Sequence, residues 1–347
     1  MAESVHEAAT DRSSARLRRP RVAVLFTGGT LDAQGVDRLD LAWYIEAKSR
    51  LEAGAFISAL PELDRLAEVT EVPFRRLNSH ALSDTDWIEL ATRIDEVLEG
   101  ETYDGLVVGH GTNTLEETAY FLSLVLRTLK PVVMVGAMRP SSGLSSDGWL
   151  NVVNGVRVAA APGAGGRGVL VALNDTIYAA RGVTKTSTYR LQSFDDRDLG
   201  PLGHADADGA VVWRRREERV HTVPPFSLDG LERLPRVDVV TSYVTADGTA
   251  IRAFVAAGAK GIVSAGTGAG RPTPCEDEAI DEALAAGVMV CQSSRVGSGR
   301  VVRSPEITRR GMVAGGDLVP WKARVLLSLA LTASSDPLEV QQHFDTC

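Results

Sequence analysis

The chain's 347 residues set a prior of about two domains, at roughly 150 residues each. Its 37 Lys and Arg against 45 Asp and Glu leave a formal net charge of −8, which argues against a nucleic-acid or anionic-membrane surface, since both need a basic patch. At 44% hydrophobic and 24% charged the composition excludes disordered and fibrous classes, and the longest apolar runs (132–135 and 325–331) fall far short of the roughly 20 residues of a membrane helix.

Residues 1–20 mix both charge signs without an apolar segment, so they read as a mobile tail and not as a signal peptide. The first ordered element is an apolar strand at 22–26 that runs into the pair Gly28-Gly29. Helical spacing over 86–98 is followed by a strand at 105–108. A helix over 115–129 opens on Thr114 as N-cap, with Glu117 three residues on as a capping box. A strand at 131–135, a helix at 147–160 and a strand at 169–173 continue the alternation, which predicts a mostly parallel sheet covered on both faces. From 194 to 235 the chain is rich in Asp, Gly, Pro and Arg, and its later part, 214–235, reads as a linker. The run Arg214-Arg215-Arg216, followed at once by Glu217-Glu218, reads as a solvated face. Alternation then resumes, with strands at 237–241, 261–265 and 288–292, helices at 249–257 and 276–286, and a last helix over 321–331 entered through Pro320. The expected fold is α/β, in two doubly wound lobes with mostly parallel sheets: a large N-terminal domain (21–213) and a smaller C-terminal domain (236–347).

Several chemistries lack their motifs. The six histidines show no HExxH or other helical pair, so no metal site is expected. There is no phosphate-binding GxxxxGK[ST] and no GxSxG elbow. Gly266, Gly268 and Gly270 follow a strand but lack the third-glycine spacing of a dinucleotide fingerprint, so no cofactor is expected. Cys275, Cys291 and Cys347 form no CxxC pair. Reduced thiols without an export signal point to the cytoplasm.

Three segments carry chemistry: TGGT at 27–30, HGTNT at 110–114 and GAMRP at 136–140. Each sits at the carboxyl end of an expected parallel strand, where open α/β sheets bind ligands. Taken singly they are ordinary turns and caps. Together they converge hydroxyls and backbone N–H groups on one crevice.

With LEETAYFL at 115–122, SDG at 146–148, LNDT at 173–176, GVTKT at 182–186, GPLG at 200–203, GIVSAGTG at 261–268, SSRV at 293–296 and KARVLL at 322–327, the chain resembles the bacterial L-asparaginase family with threonine nucleophiles, from Val22 to about Phe344. That resemblance implies an amidohydrolase with no cofactor, assembled as a homotetramer (a dimer of dimers) whose active sites lie between lobes of two subunits. It puts the nucleophile on Thr30 and its supporting tyrosine on Tyr44. The second hydroxyl falls on Thr112, its partnering lysine on Lys185, and a glutamate contributed across the subunit interface on Glu306. Ser79 matches the serine that holds the substrate carboxylate. Gly29, Gly111, His80 and Asn113 match the remaining substrate-binding positions.

These residue types suit amide hydrolysis. A threonine hydroxyl needs a base and a positioned partner, and a lysine serves as base when burial favours its neutral amine. N–H groups at Gly29, Thr30 and Thr112 suit the developing oxyanion, and segment 31–54 suits a lid. Two positions depart from the family pattern: Asn113 stands where the family has Asp, and His80 where it commonly has Gln. Both belong to the cluster expected to grip the substrate's α-ammonium, so an ion-paired hydrogen bond is lost there. L-Asparagine is the default substrate. The alternatives are an amide, lactam or imide lacking a free α-ammonium, or a weakened homologue that binds a small amino acid.

Overall fold

A computed structural model of the protein describes residues 18–217 and 223–347. Residues 1–17 of the expected tail lie outside them. Its last three residues are tied down: Arg18 pairs with Asp104 at 2.6 Å and the Pro20 carbonyl accepts from Glu68 N–H.

The larger sheet has eight strands: β1 (Arg21–Phe26), β2 (Glu68–Val72), β3 (Gly105–Gly109), β4 (Val132–Val135), β5 (Val169–Leu173), β6 (Thr176–Ala179), β7 (Gly203–Ala205) and β8 (Val211–Trp213). Their order across the sheet is β8-β7-β6-β5-β4-β3-β1-β2. The five strands from β5 to β2 are parallel, and β5 to β8 pair antiparallel. Every residue of β3, β4 and β5 is buried, as expected of strands covered by helices on both faces. Chain order reverses between β1 and β3: from β1 the chain passes to β2 on one side, then crosses to β3 on the other. That switch point leaves a crevice outside the carboxyl ends of both strands, and it fixes where the site lies.

Three long helices flank this sheet: α1 (Asp84–Leu98), α2 (Leu115–Val125) and α3 (Gly148–Ala160). Helix α1 is opened by a complete capping box between Ser83 and Asp86. The box expected at Thr114 and Glu117 does not form. Thr114 has φ −126° and ψ 19°, and its hydroxyl instead donates to the Ser79 carbonyl at 2.9 Å. Helix α2 also ends four residues before the expected 129. Leu126 turns extended and Arg127 N–H is taken by the Asp95 carboxylate, which leaves Leu129 52% exposed.

The smaller sheet is wholly parallel, in the order β9 (Val237–Thr241), β10 (Gly261–Gly266), β11 (Met289–Ser294) and β12 (Val313–Ala314). Its helices are α4 (Thr249–Ala256), α5 (Pro274–Ala285), α6 (Pro305–Arg309), α7 (Pro320–Ala333) and α8 (Pro337–Thr346). Helix α7 packs on β9, β10 and β11 and also against α2 of the larger lobe, so one apolar cluster runs from Leu106 and Leu122 through to Leu326 and Val340. After β10, Thr267 and Arg271 close a tight turn and no helix starts before Pro274, unlike a dinucleotide fold.

Within the expected linker, residues 218–222 lie outside the described residues; of the remainder, Phe226 is buried and Leu234 N–H donates to Asp84, so residues 226–234 rest on the core. Arg214 and Arg216 face solvent as expected. Arg215 turns inward to Asp196 and to the buried Glu217, so the basic run is only partly a solvated face. Among the described residues no helix is long and apolar enough to cross a membrane.

Candidate active site

Two glycine turns meet at the switch point. Gly28 and Gly29, at the end of β1, hold φ of 99° and 105°, a region that L side chains rarely adopt. A Cβ on Gly29 would lie 2.4 Å from Gly111 Cα, and one on Gly111 would lie 2.6 Å from Ser79 Oγ. TGGT and HGT therefore carry glycine because their backbones touch. The contact is locked by Thr27 N–H donating to the Gly109 carbonyl and by His110 N–H donating to that of Val135.

A crevice of about 690 Å³ opens over this junction. Gly29, Thr30, Tyr44, Ser79, His80, Gly111, Thr112, Asn113 and Lys185 all line it, and so do Ala137 and Met138 of the third strand-end segment. The Thr30 hydroxyl lies 2.9 Å from the Tyr44 hydroxyl, and Lys185 Nζ donates to Thr112 Oγ1 at 2.8 Å. Burial raises the Tyr44 phenol above its usual value, so it stays neutral. Burial lowers the Lys185 amine, which favours the uncharged form, while the Glu116 carboxylate acts in the opposite direction. Among the described residues, buried Ser79 Oγ has no hydrogen-bond partner, and Ser79 lines the crevice. His80 and Asn113 are exposed at its rim. Of the expected residues only Glu306 lies elsewhere: it sits on α6 at the surface, paired with Arg309 at 2.6 Å.

Tyr44 reaches the site through a flap. Residues 33–34 and 49–50 pair as a short antiparallel ladder, and between them the four-residue helix Tyr44–Ala47 presents its tyrosine inward. Arg50 pins the flap: it bonds Asp32 Oδ1 at 2.5 Å, the Gly29 carbonyl at 3.3 Å and the Asn78 side chain. Asp147, of the SDG segment, accepts the N–H groups of Met138 and Arg139 at 2.9–3.1 Å and fixes the third strand-end loop.

Sequence reasoning missed Arg50, Glu116, Tyr189 and Trp321, which also line the crevice. Glu116 carried a signal, as a charged residue in an otherwise almost wholly buried helix. Arg50 and Tyr189 stand in segments without periodicity, and Trp321 lies in another lobe.

Residues 21–219 match the family model described as Asparaginase, N-terminal, and residues 236–344 match the Glutaminase/Asparaginase C-terminal domain. The chain is 40% identical over 329 residues to the Probable L-asparaginase periplasmic of Haemophilus influenzae, covering 94% of this chain and 93% of that one. It is 40% identical over 336 residues to L-asparaginase 2 of Escherichia coli, covering 96% and 95%. The crystal structure of Probable Cytoplasmic L-asparaginase from Campylobacter jejuni superposes with a TM-score of 0.90 at 38% identity, over 95% of this chain and 100% of that one.

Proposed function

Because the chain belongs to the asparaginase family and is an amidohydrolase acting on carbon–nitrogen bonds, we propose that it hydrolyses L-asparagine to L-aspartate and ammonia through an acyl-threonine on Thr30. One observation carries this reading: a hydroxyl pair, Thr30 with Tyr44, and a hydroxyl–amine pair, Thr112 with Lys185, face one crevice on either side of touching glycine turns. In this reading Thr30 Oγ attacks the carboxamide carbon while Tyr44 orients its hydroxyl. The neutral Lys185 amine takes the proton through Thr112 and returns it to the departing nitrogen, so ammonia leaves and the acyl-threonine remains. Water then attacks the ester by the same route, releasing aspartate. N–H groups at Gly29, Thr30 and Thr112 stabilise the oxyanion, and each such donor is worth roughly 10²–10³ in rate. Ser79 takes the substrate carboxylate, while Asn113 and His80 lie on the α-ammonium side.

Diversion to amides without an α-ammonium, expected as an alternative from Asn113 and His80, is not favoured by relatives that carry the name L-asparaginase. We take the working unit to be a homotetramer in which Glu306 completes a neighbour's crevice, a reading supported by its exposed place outside the crevice of its own chain. The cytoplasm is the proposed location, supported by three free cysteines and by a relative named as cytoplasmic, against another named as periplasmic. The proposed division is 21–213, a linker over 214–235, and 236–347. Ammonia release from L-asparagine tests the function: the wild-type chain releases it and Thr30→Ala falls by several orders of magnitude with its fold unchanged. A covalent adduct trapped on Thr112 instead of Thr30 would exchange their roles.

A further inference from the structure

Behind the Thr112–Lys185 pair the crevice ends on two residues that the proposed reaction does not use. Glu116, 5% exposed in the first turn of α2, is a carboxylate in an apolar wall, and burying such a charge is costly unless each oxygen is bonded. Here each one is. Oε1 accepts the backbone N–H of Lys185 at 3.0 Å, and Oε2 accepts the indole N–H of Trp321 at 2.7 Å. Trp321 stands in the first turn of α7, in the smaller lobe, and 205 residues separate it from Glu116. Its neighbour Lys322, wholly buried, donates to the carbonyls of Ala180, Arg181 and Val183, just ahead of Lys185. The start of α7 thus grips the lysine-bearing segment twice.

We propose that Glu116 and Trp321 are positioning residues for Lys185: the Trp321 indole fixes the Glu116 carboxylate, and the carboxylate fixes both the backbone of Lys185 and the charge that faces its amine. The proposal rests on Lys185 acting as the base in the reading above. Asn113 is uncharged, and Glu116 is the carboxylate whose field acts on the amine. The other charged groups packed around this link are Glu117 on α2, Lys322 and Arg324 on α7, and Arg181 and Asp196 beyond them. Glu116 also raises the Glu117 carboxyl and the Lys322 amine, so the limb is assigned to Lys185 by its loss in Lys185→Met, and the variant shifts are read on that limb. Two opposite effects follow. Without the indole N–H, the Glu116 charge is less neutralised, holds the proton on Lys185 more firmly, and the limb on which kcat/KM rises with pH moves to higher pH. Without the Glu116 charge the same limb moves to lower pH.

The test is the pH profile of kcat/KM for L-asparagine in the full chain and in Trp321→Phe, Trp321→Gln, Glu116→Gln and Lys185→Met. Trp321→Phe is expected to lower kcat roughly tenfold with KM little changed, as for a group misplaced by a fraction of an ångström, and to shift the limb upward. Trp321→Gln returns a non-titrating N–H donor and restores both. Glu116→Gln shifts the limb downward. If Lys185→Met loses the limb while Trp321→Phe and Glu116→Gln leave it in place, the link is only structural and the inference is overturned alone. If Lys185→Met keeps the wild-type limb, Lys185 is not the base, and the functional reading falls together with the inference. Should Trp321→Phe fail to fold, the direction of the Glu116→Gln shift decides.

Discussion

Gly29 and Gly111 bring the two threonines of the proposed mechanism together by having no side chains. The shortest approach of a Gly29 Cβ, 2.4 Å, is to backbone, which cannot swing away, and φ of 105° adds strain for any other residue. Gly29→Ala is therefore expected to cost about 1–3 kcal/mol of stability in urea unfolding and at least about 100-fold in ammonia release. Full activity in that variant would mean that the turns tolerate separation. In the proposed reading Asn113 acts differently, from the rim and through its lack of charge. Its carbonyl accepts one hydrogen bond from an ammonium, but its NH₂ group faces the same cation as a second donor. Asn113→Asp is expected to raise kcat/KM for L-asparagine roughly tenfold, the rate equivalent of about 1.4 kcal/mol, and to change little for an α-N-acyl analogue. Equal gains on both substrates would place the ammonium elsewhere.

Helix α7 is the element that joins site and scaffold. Lys322 offers one ammonium to three carbonyls, and although burial pushes its amine down to about 8 it remains protonated at neutral pH. Lys322→Met keeps the volume but orphans those carbonyls, so a loss of about 3 kcal/mol or more is expected in urea unfolding, with activity falling as Lys185 loses its support. Little of this was legible in the sequence. Apolar runs such as 105–108 and 131–135 declare themselves as buried strands, and with them came the three strand-end motifs; the switch point was not read, because the half-exposed edge strand at 68–72 shows no apolar run. The antiparallel end of the larger sheet was missed because β7 and β8 have three residues each and no alternation to read. The turn that reverses the sheet, Asn174-Asp175 with φ of 48° and 62°, does carry a hairpin signature between β5 and β6. The expected Thr114–Glu117 box failed for a tertiary reason: the Ser79 carbonyl offered the threonine hydroxyl another partner. The Glu116–Trp321 pair has no local trace, since chain separation leaves nothing periodic.

For the molecule as a whole, acid stability is set in part inside the site. His110 is wholly buried, and burial pushes its imidazole from the usual 6.5 down to about 4. As pH falls below 6.5 the unfolded chain takes up a proton that the folded chain refuses until about 4. The stabilisation is therefore complete above 6.5 and lost progressively down to about 4, by about 3 kcal/mol at an order-of-magnitude level. Urea unfolding at pH 7 and pH 4.5 checks this: wild type should lose more stability between the two than His110→Gln, and parallel losses would assign the acid sensitivity elsewhere. Assembly has its own test. Mixing inactive Thr30→Ala with inactive Glu306→Ala should restore part of the activity in hybrid oligomers, whereas an active monomer at high dilution refutes sharing of the site.

The Lys322 clasp also orders events in time. The carbonyl of Ala180 waits for an amine made 142 residues later. At a synthesis rate of roughly 5–20 residues per second, Ala180 is made about 7–28 seconds before the amine that binds its carbonyl. Through that interval the threonines are already made while the lysine-bearing segment lacks its anchor. On the proposed mechanism the crevice is thus finished only once α7 is made, and a product truncated before α7 is expected to be inert in ammonia release.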